Sequence, residues 1–238
     1  KSRGLGDVYK RQVIKSFKNS LAEKAGFLVM KSNFFSSAIM KTSVISKEFK
    51  ERYLSNPKHP NVFNGKAVVF EGPEDYHKRL NSKKLKIDEN SILIVRGCGP
   101  VGYPGSAEVV NMQPPDRLLK KGISHLPTLG DGRQSGTSES PSILHVSPES
   151  AVGGDLGIVK TGDKMIIDLN KRRVDLLISQ LEFKKRRKNK KLFKANNQTP
   201  WQEIFRNTVG QLEDGACINS RGKYLDVSHT KGLPRDSH

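Results

Sequence analysis

The sequence lacks long hydrophobic runs, because no apolar stretch in its 238 residues approaches the roughly 18 residues of a membrane span. It also lacks the pattern of a secretory signal peptide. Cysteine is scarce, since Cys98 and Cys217 are the two cysteines and lie far apart without metal-ligand spacing. These absences argue against a membrane partner and against a disulfide scaffold, and they predict a cytoplasmic protein.

Acidic residues are few, and 42 Lys and Arg against 24 Asp and Glu give a net charge of +18. The excess is concentrated in residues 184–194, which hold eight basic residues and no acid, and in residues 1–12, which carry +3. Subtracting both from +18 leaves +7 for the rest of the chain. A basic run is usually a solvated face, so we expect no specific nucleic-acid partner. A non-catalytic basic binding module stays open as an alternative.

The first twelve residues differ from the rest of the chain. They fit no apolar period and resemble translated linker or adaptor sequence, and position 1 is not methionine. We therefore expect residues 1–12 to be an unstructured assembly artefact, and we expect the N-terminal half of a longer protein to be missing. Residues 13–195 are predicted to form one barrel domain, on which a C-terminal helix and tail, residues 196–238, would pack.

Short strand-like runs dominate the chain, each rich in Val and Ile and bounded by turn-forming residues. They lie at 26–31, 38–45, 66–70, 91–96, 142–146, 156–160, 164–169 and 173–178. A tight hairpin is predicted at 161–164, because Gly162 can take a positive φ. Eight strands without a strict βαβ repeat predict an α+β, β-rich fold, either a β-barrel or a β-sandwich, flanked by a few helices.

Helices are fewer and carry clear end signals. They are predicted at 46–55, 73–80 and 115–121, and after the capping residues Ser179 and Thr199. In the last helix one face is apolar and is expected to pack on the domain; its residues are Trp201, Ile204, Phe205, Val209 and Leu212.

Two glycine-rich loops stand out as candidate functional segments. The glycine loop, residues 96–108, reads RGCGPVGYPGSAE, and the serine loop, residues 130–140, reads GDGRQSGTSES. Each follows an apolar run and contains a residue with chemical capacity, Glu108 and Ser135. No P-loop, dinucleotide fingerprint or GxSxG elbow is present, so the residues alone leave the chemistry open. His125 and His145 flank the serine loop and are expected to be packed histidines rather than ligands.

The chain from Val13 onward resembles the C-terminal half of the dihydroxy-acid and 6-phosphogluconate dehydratases. The resemblance is carried by four motifs: NGKAVVFEGPEDY (64–76), RGCGPVGYPGSAEVVNMQPP (96–115), GDGRQSGTSESPSIL (130–144) and SPESAVGGDLGIVKTGD (147–163). The serine loop reads QSGTS, like the sugar-acid dehydratases that act on arabinonate or xylonate. A dihydroxy-acid dehydratase of branched-chain amino-acid synthesis remains the alternative.

The resemblance implies a chemistry for the two loops. Family members remove water from a 2,3-dihydroxy carboxylate with an iron–sulfur cluster, usually [2Fe–2S], and Mg²⁺. By motif match, Ser135 would be the catalytic base as its alkoxide, Glu108 a Mg²⁺ ligand, and Thr137 a substrate-binding hydroxyl. The cluster ligands belong to the N-terminal half, so Cys98 and Cys217 are not expected to bind the cluster. The resemblance implies that the fold is an eight-stranded β-barrel of the swivelling β/β/α type, flanked by a few helices. It further implies an aldonate substrate, inactivity of this part alone, and a homodimer or homotetramer at full length.

Overall fold

The structure is a computed structural model that describes residues 15–20, 26–108, 112–133, 139, 141–191, 193–196 and 198–218. Residues 1–12, Ser135 and Thr137 lie outside the described residues. The strands within these ranges are β1 (Phe27–Ser32), β2 (Ser37–Lys41), β3 (Val62–Glu71), β4 (Ser91–Arg96), β5 (Thr128–Gly130), β6 (Ser142–Ser147), β7 (Lys164–Asp168) and β8 (Arg173–Leu176). The α-helices are α1 (Lys47–Tyr53), α2 (Pro73–Arg79), α3 (Asp116–Leu119), α4 (Gln180–Lys188) and α5 (Pro200–Thr208).

The eight strands close into one barrel in the order β1, β2, β6, β5, β4, β3, β7, β8, which confirms the predicted architecture. β3, β4, β5 and β6 are parallel neighbours, and β8 closes the barrel by pairing in parallel with β1. β2 and β7 run antiparallel to both of their neighbours. Six strands therefore end at the same rim, here called the carboxyl rim, where the last strand residues are Ser32, Glu71, Arg96, Gly130, Ser147 and Leu176.

β4 shows why the strands read as apolar runs. Ile92 and Ile94 belong to the hydrophobic cluster that fills the barrel. Leu93 and Val95 belong to a second cluster outside the barrel wall, together with Leu118 of α3. A strand buried on both faces carries apolar residues at consecutive positions, and burying one such side chain stabilises the fold by about 1.5–3 kcal/mol.

The strand predicted at 156–160 is wrong, because Asp155–Ile158 form a turn of 3₁₀-helix. The guanidinium of Arg96, at the end of β4, donates hydrogen bonds of 2.8 to 3.2 Å to three carbonyls, those of Leu156, Gly157 and Val159. These carbonyls are therefore committed to a side chain, and they do not form a strand ladder.

The hairpin predicted at 161–164 is also wrong, since only the strand that follows it exists. Gly162 does take the positive φ that was expected, +94°, and its N–H donates to the carbonyl of Ala67 in β3. The barrel still has eight strands, because β5 takes the place of the strand wrongly predicted at 156–160. The sequence patterns missed β5. Its three residues are too few to show a period.

The predictions for the helix ends agree with the structure better than the predictions for the helix faces do. The Thr199 hydroxyl accepts from the N–H of Gln202, whose side chain bonds back to the N-cap, so the capping box is confirmed. Trp201 and Ile204 are 77% and 52% exposed, so the predicted packing of this face is wrong at these two positions. Val209, beyond the helix, is buried. No helix in the described part of the chain combines the length and apolarity needed to cross a membrane.

Candidate functional site at the carboxyl rim

The two glycine-rich loops leave the barrel side by side. β4 leads into the glycine loop and β5 into the serine loop, and the two strands are parallel neighbours that pair Leu93 with Thr128 and Val95 with Gly130. The carboxyl ends of neighbouring parallel strands lie at the same edge of a sheet or barrel, and ligands commonly bind at this edge. The topology therefore brings together the two segments that the sequence singled out separately.

Glu108 lies beside the first residues of the serine loop. Glu108 and Arg133 form a parallel β-bridge, and the N–H of Arg133 donates to the carbonyl of Ala107 at 3.0 Å. The guanidinium of Arg133 lies 3.5 Å from the Glu108 carboxylate and also donates to the carbonyl of Ser106 at 3.1 Å. Arg133 precedes Ser135 by two residues, so the structure places Glu108 next to the segment that leads to Ser135.

Ser135 and Thr137 themselves lie outside the described residues. The two histidines flanking the serine loop are described. The N–H of His145 donates to the carbonyl of Gly132 at 2.9 Å, and His145 has a φ of +59° where β6 shifts register against β2. Burial lowers the pKa of the His145 imidazole, and the charge of Arg133 lowers it further, so both effects favour the neutral ring. His125 lies 3.5 Å from the carboxylate of Glu139, between Nδ1 and Oε2.

Asp131, the second residue of the serine loop, ties three loops together. Its fully buried carboxylate accepts hydrogen bonds from the backbone N–H groups of Gly97 (3.1 Å) and Cys98 (2.8 Å) in the glycine loop. It also accepts from the N–H and hydroxyl of Ser150, after β6, at 2.9 and 2.6 Å. Such charge-assisted bonds are about twice as strong as neutral ones. Sequence reasoning missed this role, although an aspartate directly after an apolar strand was a usable signal.

Glu149 is a second buried carboxylate that supports the glycine loop. It accepts from the N–H groups of Val101 at 3.0 Å and Gly102 at 2.9 Å, and from the side-chain amide of Gln211 at 2.9 Å. Burial raises the pKa of Glu149, although these hydrogen bonds act in the opposite direction. Gly99 allows the close approach, because a Cβ there would lie 2.4 Å from the carboxylate. This role was also not foreseen.

The two cysteines differ in their surroundings. Cys98 is buried and Cys217 is exposed, and both are free. Burial raises the pKa of the Cys98 thiol well above its usual range, and the nearby carboxylates of Asp131, Glu74 and Glu149 raise it further. A thiolate is therefore strongly disfavoured at Cys98. Within the described residues, no group of three or more His, Cys, Asp or Glu side chains is arranged to hold a metal ion.

Part of the basic run 184–194 is paired with acids of the same domain. Arg186 bonds Asp163 at 3.0 Å, and Arg187 and Lys190 bond Asp155 at 2.7 Å each. The guanidinium of Arg187 also lies over the ring of Phe183 at 4.6 Å. These contacts dock α4 onto the turn after β6, so this part of the run has a structural role.

Comparison with known proteins shows which protein family the sequence matches. Residues 12–216 match the family described as dihydroxy-acid/6-phosphogluconate dehydratase C-terminal. The chain is 54% identical over 228 residues to D-xylonate dehydratase of Caulobacter vibrioides, covering 96% of this chain and 38% of that protein. It is 40% identical over 179 residues to L-arabinonate dehydratase of Rhizobium leguminosarum bv. trifolii (75% and 29%). It is 33% identical over 215 residues to dihydroxy-acid dehydratase of Thermodesulfovibrio yellowstonii (89% and 36%). The chain thus spans well under half the length of these relatives.

Proposed function

Since the chain belongs to the dihydroxy-acid/6-phosphogluconate dehydratase family, we propose that it is the C-terminal domain of a sugar-acid dehydratase. The complete enzyme would remove water from an aldonate, a 2,3-dihydroxy carboxylate, to give a 2-keto-3-deoxy acid. The names and identities of the xylonate and arabinonate dehydratases support this substrate class over the branched-chain dihydroxy acids. The cytoplasm is the proposed compartment, and a homodimer or homotetramer the proposed assembly of the complete protein.

The observation that carries the proposal is the bridge between Glu108 and Arg133, which sets a carboxylate beside the serine loop. A carboxylate oxygen is the kind of ligand that Mg²⁺ prefers, and Glu108 therefore fits as one of its ligands. Mg²⁺ takes about six oxygen ligands, and the described residues offer no further ligand cluster. We propose that the other ligands and the [2Fe–2S] cluster are held outside residues 1–238.

In the proposed mechanism, this domain supplies the base and a residue that orients the substrate, while Mg²⁺ and the cluster would supply Lewis acids. Mg²⁺, when bound, would hold the substrate carboxylate and C2 oxygen, while the cluster would act as a Lewis acid at the C3 hydroxyl. Ser135, as its alkoxide, takes the proton from C2. The electrons of the C2–H bond then form the C2–C3 double bond as the C3–O bond breaks and its electron pair leaves with hydroxide. The proton that Ser135 took from C2 passes to this hydroxide, which gives water and restores the alkoxide. The resulting enol becomes the 2-keto acid, and Thr137 would orient the substrate.

Exposed apolar side chains support a site that is completed by another domain. Large exposed apolar patches commonly mark interaction surfaces. Among the described residues, large exposed apolar side chains follow three strands that end at the carboxyl rim: Tyr103 after β4, Val152 after β6 and Leu177 after β8. Trp201 and Ile204 are exposed on α5, whose Arg206 bonds the glycine loop. We therefore propose that this rim closes over the domain that carries the cluster, and that residues 1–238 alone do not turn over substrate.

The test is the Ser135→Ala variant of the complete dehydratase, assayed for 2-keto-3-deoxy acid formation from D-xylonate. We expect turnover to be abolished while iron content, cluster absorbance and Mg²⁺ content stay unchanged. Ser138→Ala, in the same loop, is the matched control and should retain activity. Wild-type rates in Ser135→Ala would remove Ser135 from the base role, and a preference for 2,3-dihydroxyisovalerate over D-xylonate would favour the branched-chain alternative.

A further inference from the structure

The segment of residues 199–215 donates hydrogen bonds to backbone carbonyls of the glycine loop. Arg206 of α5 donates from Nε to the carbonyl of Val101 at 2.8 Å and from Nη2 to the carbonyl of Gly102 at 3.5 Å. A third guanidinium nitrogen of Arg206, Nη1, donates to the carbonyl of Asn196 at 3.1 Å. A rigid guanidinium fork that bonds successive carbonyls fixes their orientation better than a single donor would.

The same two loop residues are held from the other side through their N–H groups. These N–H groups donate to the buried carboxylate of Glu149. Gln211, just after α5, bonds Glu149 in both directions: its amide nitrogen donates to the carboxylate at 2.9 Å, and its oxygen accepts from the Glu149 N–H at 2.8 Å. Val101 and Gly102 are thus fixed at both their N–H and their carbonyl groups, and each set of bonds depends on residues 199–215.

Further contacts connect the part of the glycine loop around Val101 and Gly102 with Glu108. Ser106, two residues before Glu108, donates its hydroxyl to the carbonyl of Cys98 at 3.2 Å. The carbonyl of Ser106 accepts from Arg133, which in turn bridges to Glu108. The loop is therefore fastened at its middle by the C-terminal segment and at its end by the serine loop, with few residues between the two points.

Polar contacts carry much of the attachment of this segment. Trp201 and Ile204 on the outer face of α5 are exposed, and Phe205 is half-buried. At the far end of the segment, Glu213 accepts a hydrogen bond from the Ser36 hydroxyl at 2.5 Å. Arg206 and Gln211 thus supply directed bonds at a place where apolar packing is incomplete.

We propose that Arg206 and Gln211 are positioning residues that keep the glycine loop in the conformation presenting Glu108 to the serine loop. The inference rests on the proposed function, because it assigns Glu108 the role of Mg²⁺ ligand. Groups that support a metal ligand from behind typically change metal affinity 10- to 100-fold when they are mutated. Loss of either residue should therefore weaken Mg²⁺ binding without removing a ligand.

Amide hydrogen exchange tests whether the two residues hold the loop. In the chain of residues 1–238 we expect Gln211→Leu and Arg206→Gln to speed exchange at Val101 and Gly102 at least 10-fold, with β4 amides unchanged. Arg206→Lys, which keeps one donor, should show a smaller effect. The matched control is Glu203→Gln, an exposed position on the same helix, and should behave as wild type. Unchanged exchange at both loop amides, or equal acceleration in β4, would overturn the proposal.

Mg²⁺ titration of the complete dehydratase tests the consequence for the site. We expect Gln211→Leu to raise the Mg²⁺ concentration for half-maximal turnover of D-xylonate about 10-fold, with kcat restored at saturating Mg²⁺. A loss of kcat that excess Mg²⁺ does not restore, or an unchanged Mg²⁺ requirement, would overturn the positioning role. If the wild-type enzyme does not dehydrate aldonates at all, the proposed function fails, whereas the exchange experiment still decides whether these residues hold the loop.

Discussion

At the scale of single residues, the buried carboxylates of Asp131 and Glu149 do most to shape the carboxyl rim. Each collects backbone N–H groups from the glycine loop, which has few apolar side chains with which to pack itself. Buried charges are costly unless they are fully hydrogen-bonded, and here the N–H groups satisfy them. A loop that approaches ligands closely is thereby held without a core of its own.

Asp131→Asn should destabilise the domain by about 2 kcal/mol. An amide replaces one carboxylate oxygen with a donor, so the N–H groups of buried Cys98 or of half-buried Gly97 and Ser150 lose their acceptor. Urea unfolding followed by circular dichroism measures the change. Asp214→Asn, at an exposed position, should stay within about 0.5 kcal/mol of wild type. Equal stabilities of the two variants would contradict the role given to Asp131.

At the scale of elements, α4 shows that the basic run is partly an anchor. The carboxylate of Asp155 receives both Arg187 and Lys190, and the side chain of Arg186 is 11% exposed beside Asp163. These pairs fix α4 against the turn that Arg96 holds from the other side. The helix therefore braces a loop of the carboxyl rim, and its charge is partly neutralised within the domain.

The pH dependence of stability should reveal the pairing of Asp155. Burial raises the pKa of Asp155, but the hydrogen bonds and charges of Arg187 and Lys190 outweigh burial, so the pKa is lowered. A pKa that is lower in the folded state means stabilisation at neutral pH, lost as the pH falls below about 4. We expect Asp155→Asn to cost about 1–2 kcal/mol at pH 7 and progressively less as the pH falls below about 4.

Urea unfolding across this pH range makes the comparison. The control is Glu89→Gln, at an exposed position that has no ion pair with any other described residue. The control should track wild type at every pH. A stability difference for Asp155→Asn that grows toward acid pH would have the wrong sign for the proposed pairing.

At the scale of the whole molecule, the net charge and the exposed apolar surface lead to different expectations about which partner the protein binds. The net charge of +18 favours weak contact with any polyanion. The exposed apolar side chains at the carboxyl rim instead favour a protein surface. Since Arg186, Arg187 and Lys190 already bond acids of the domain, fewer cations of the run are available to phosphates.

Nucleic-acid binding should therefore be weak and sequence-independent. We expect duplex DNA to bind with a dissociation constant of about 10⁻⁶ M or weaker, and binding should decline steeply between 50 and 200 mM salt. Replacing the five lysines at 184, 185, 188, 191 and 194 with glutamine should remove most of it. Fluorescence polarisation measures the affinity. Sequence-selective binding that survives 200 mM salt would instead support the basic binding module.

The sequence by itself determined the β-rich barrel class, the helix caps and the two loops that carry the candidate site. These features are local: a period, a proline, a glycine or a capping hydroxyl acts over a few residues, so the pattern is readable before folding. The caps at Ser179 and Thr199 illustrate this, since each hydroxyl accepts the N–H three residues on. The family motifs likewise lie in continuous stretches, and for this reason Glu108 could be proposed as a candidate Mg²⁺ ligand from the sequence.

The tertiary structure decided what depends on distant partners. Residues 156–160 read as a strand, yet Arg96, some 60 residues earlier, bonds their carbonyls and makes a turn. Asp131 and Glu149 read as ordinary loop acids until the barrel brings backbone N–H groups to them. Arg206 reaches the glycine loop across about 100 residues of chain, and Gln211 reaches Glu149 across about 60. Such contacts leave no local period, because closure of the barrel alone brings the partners together.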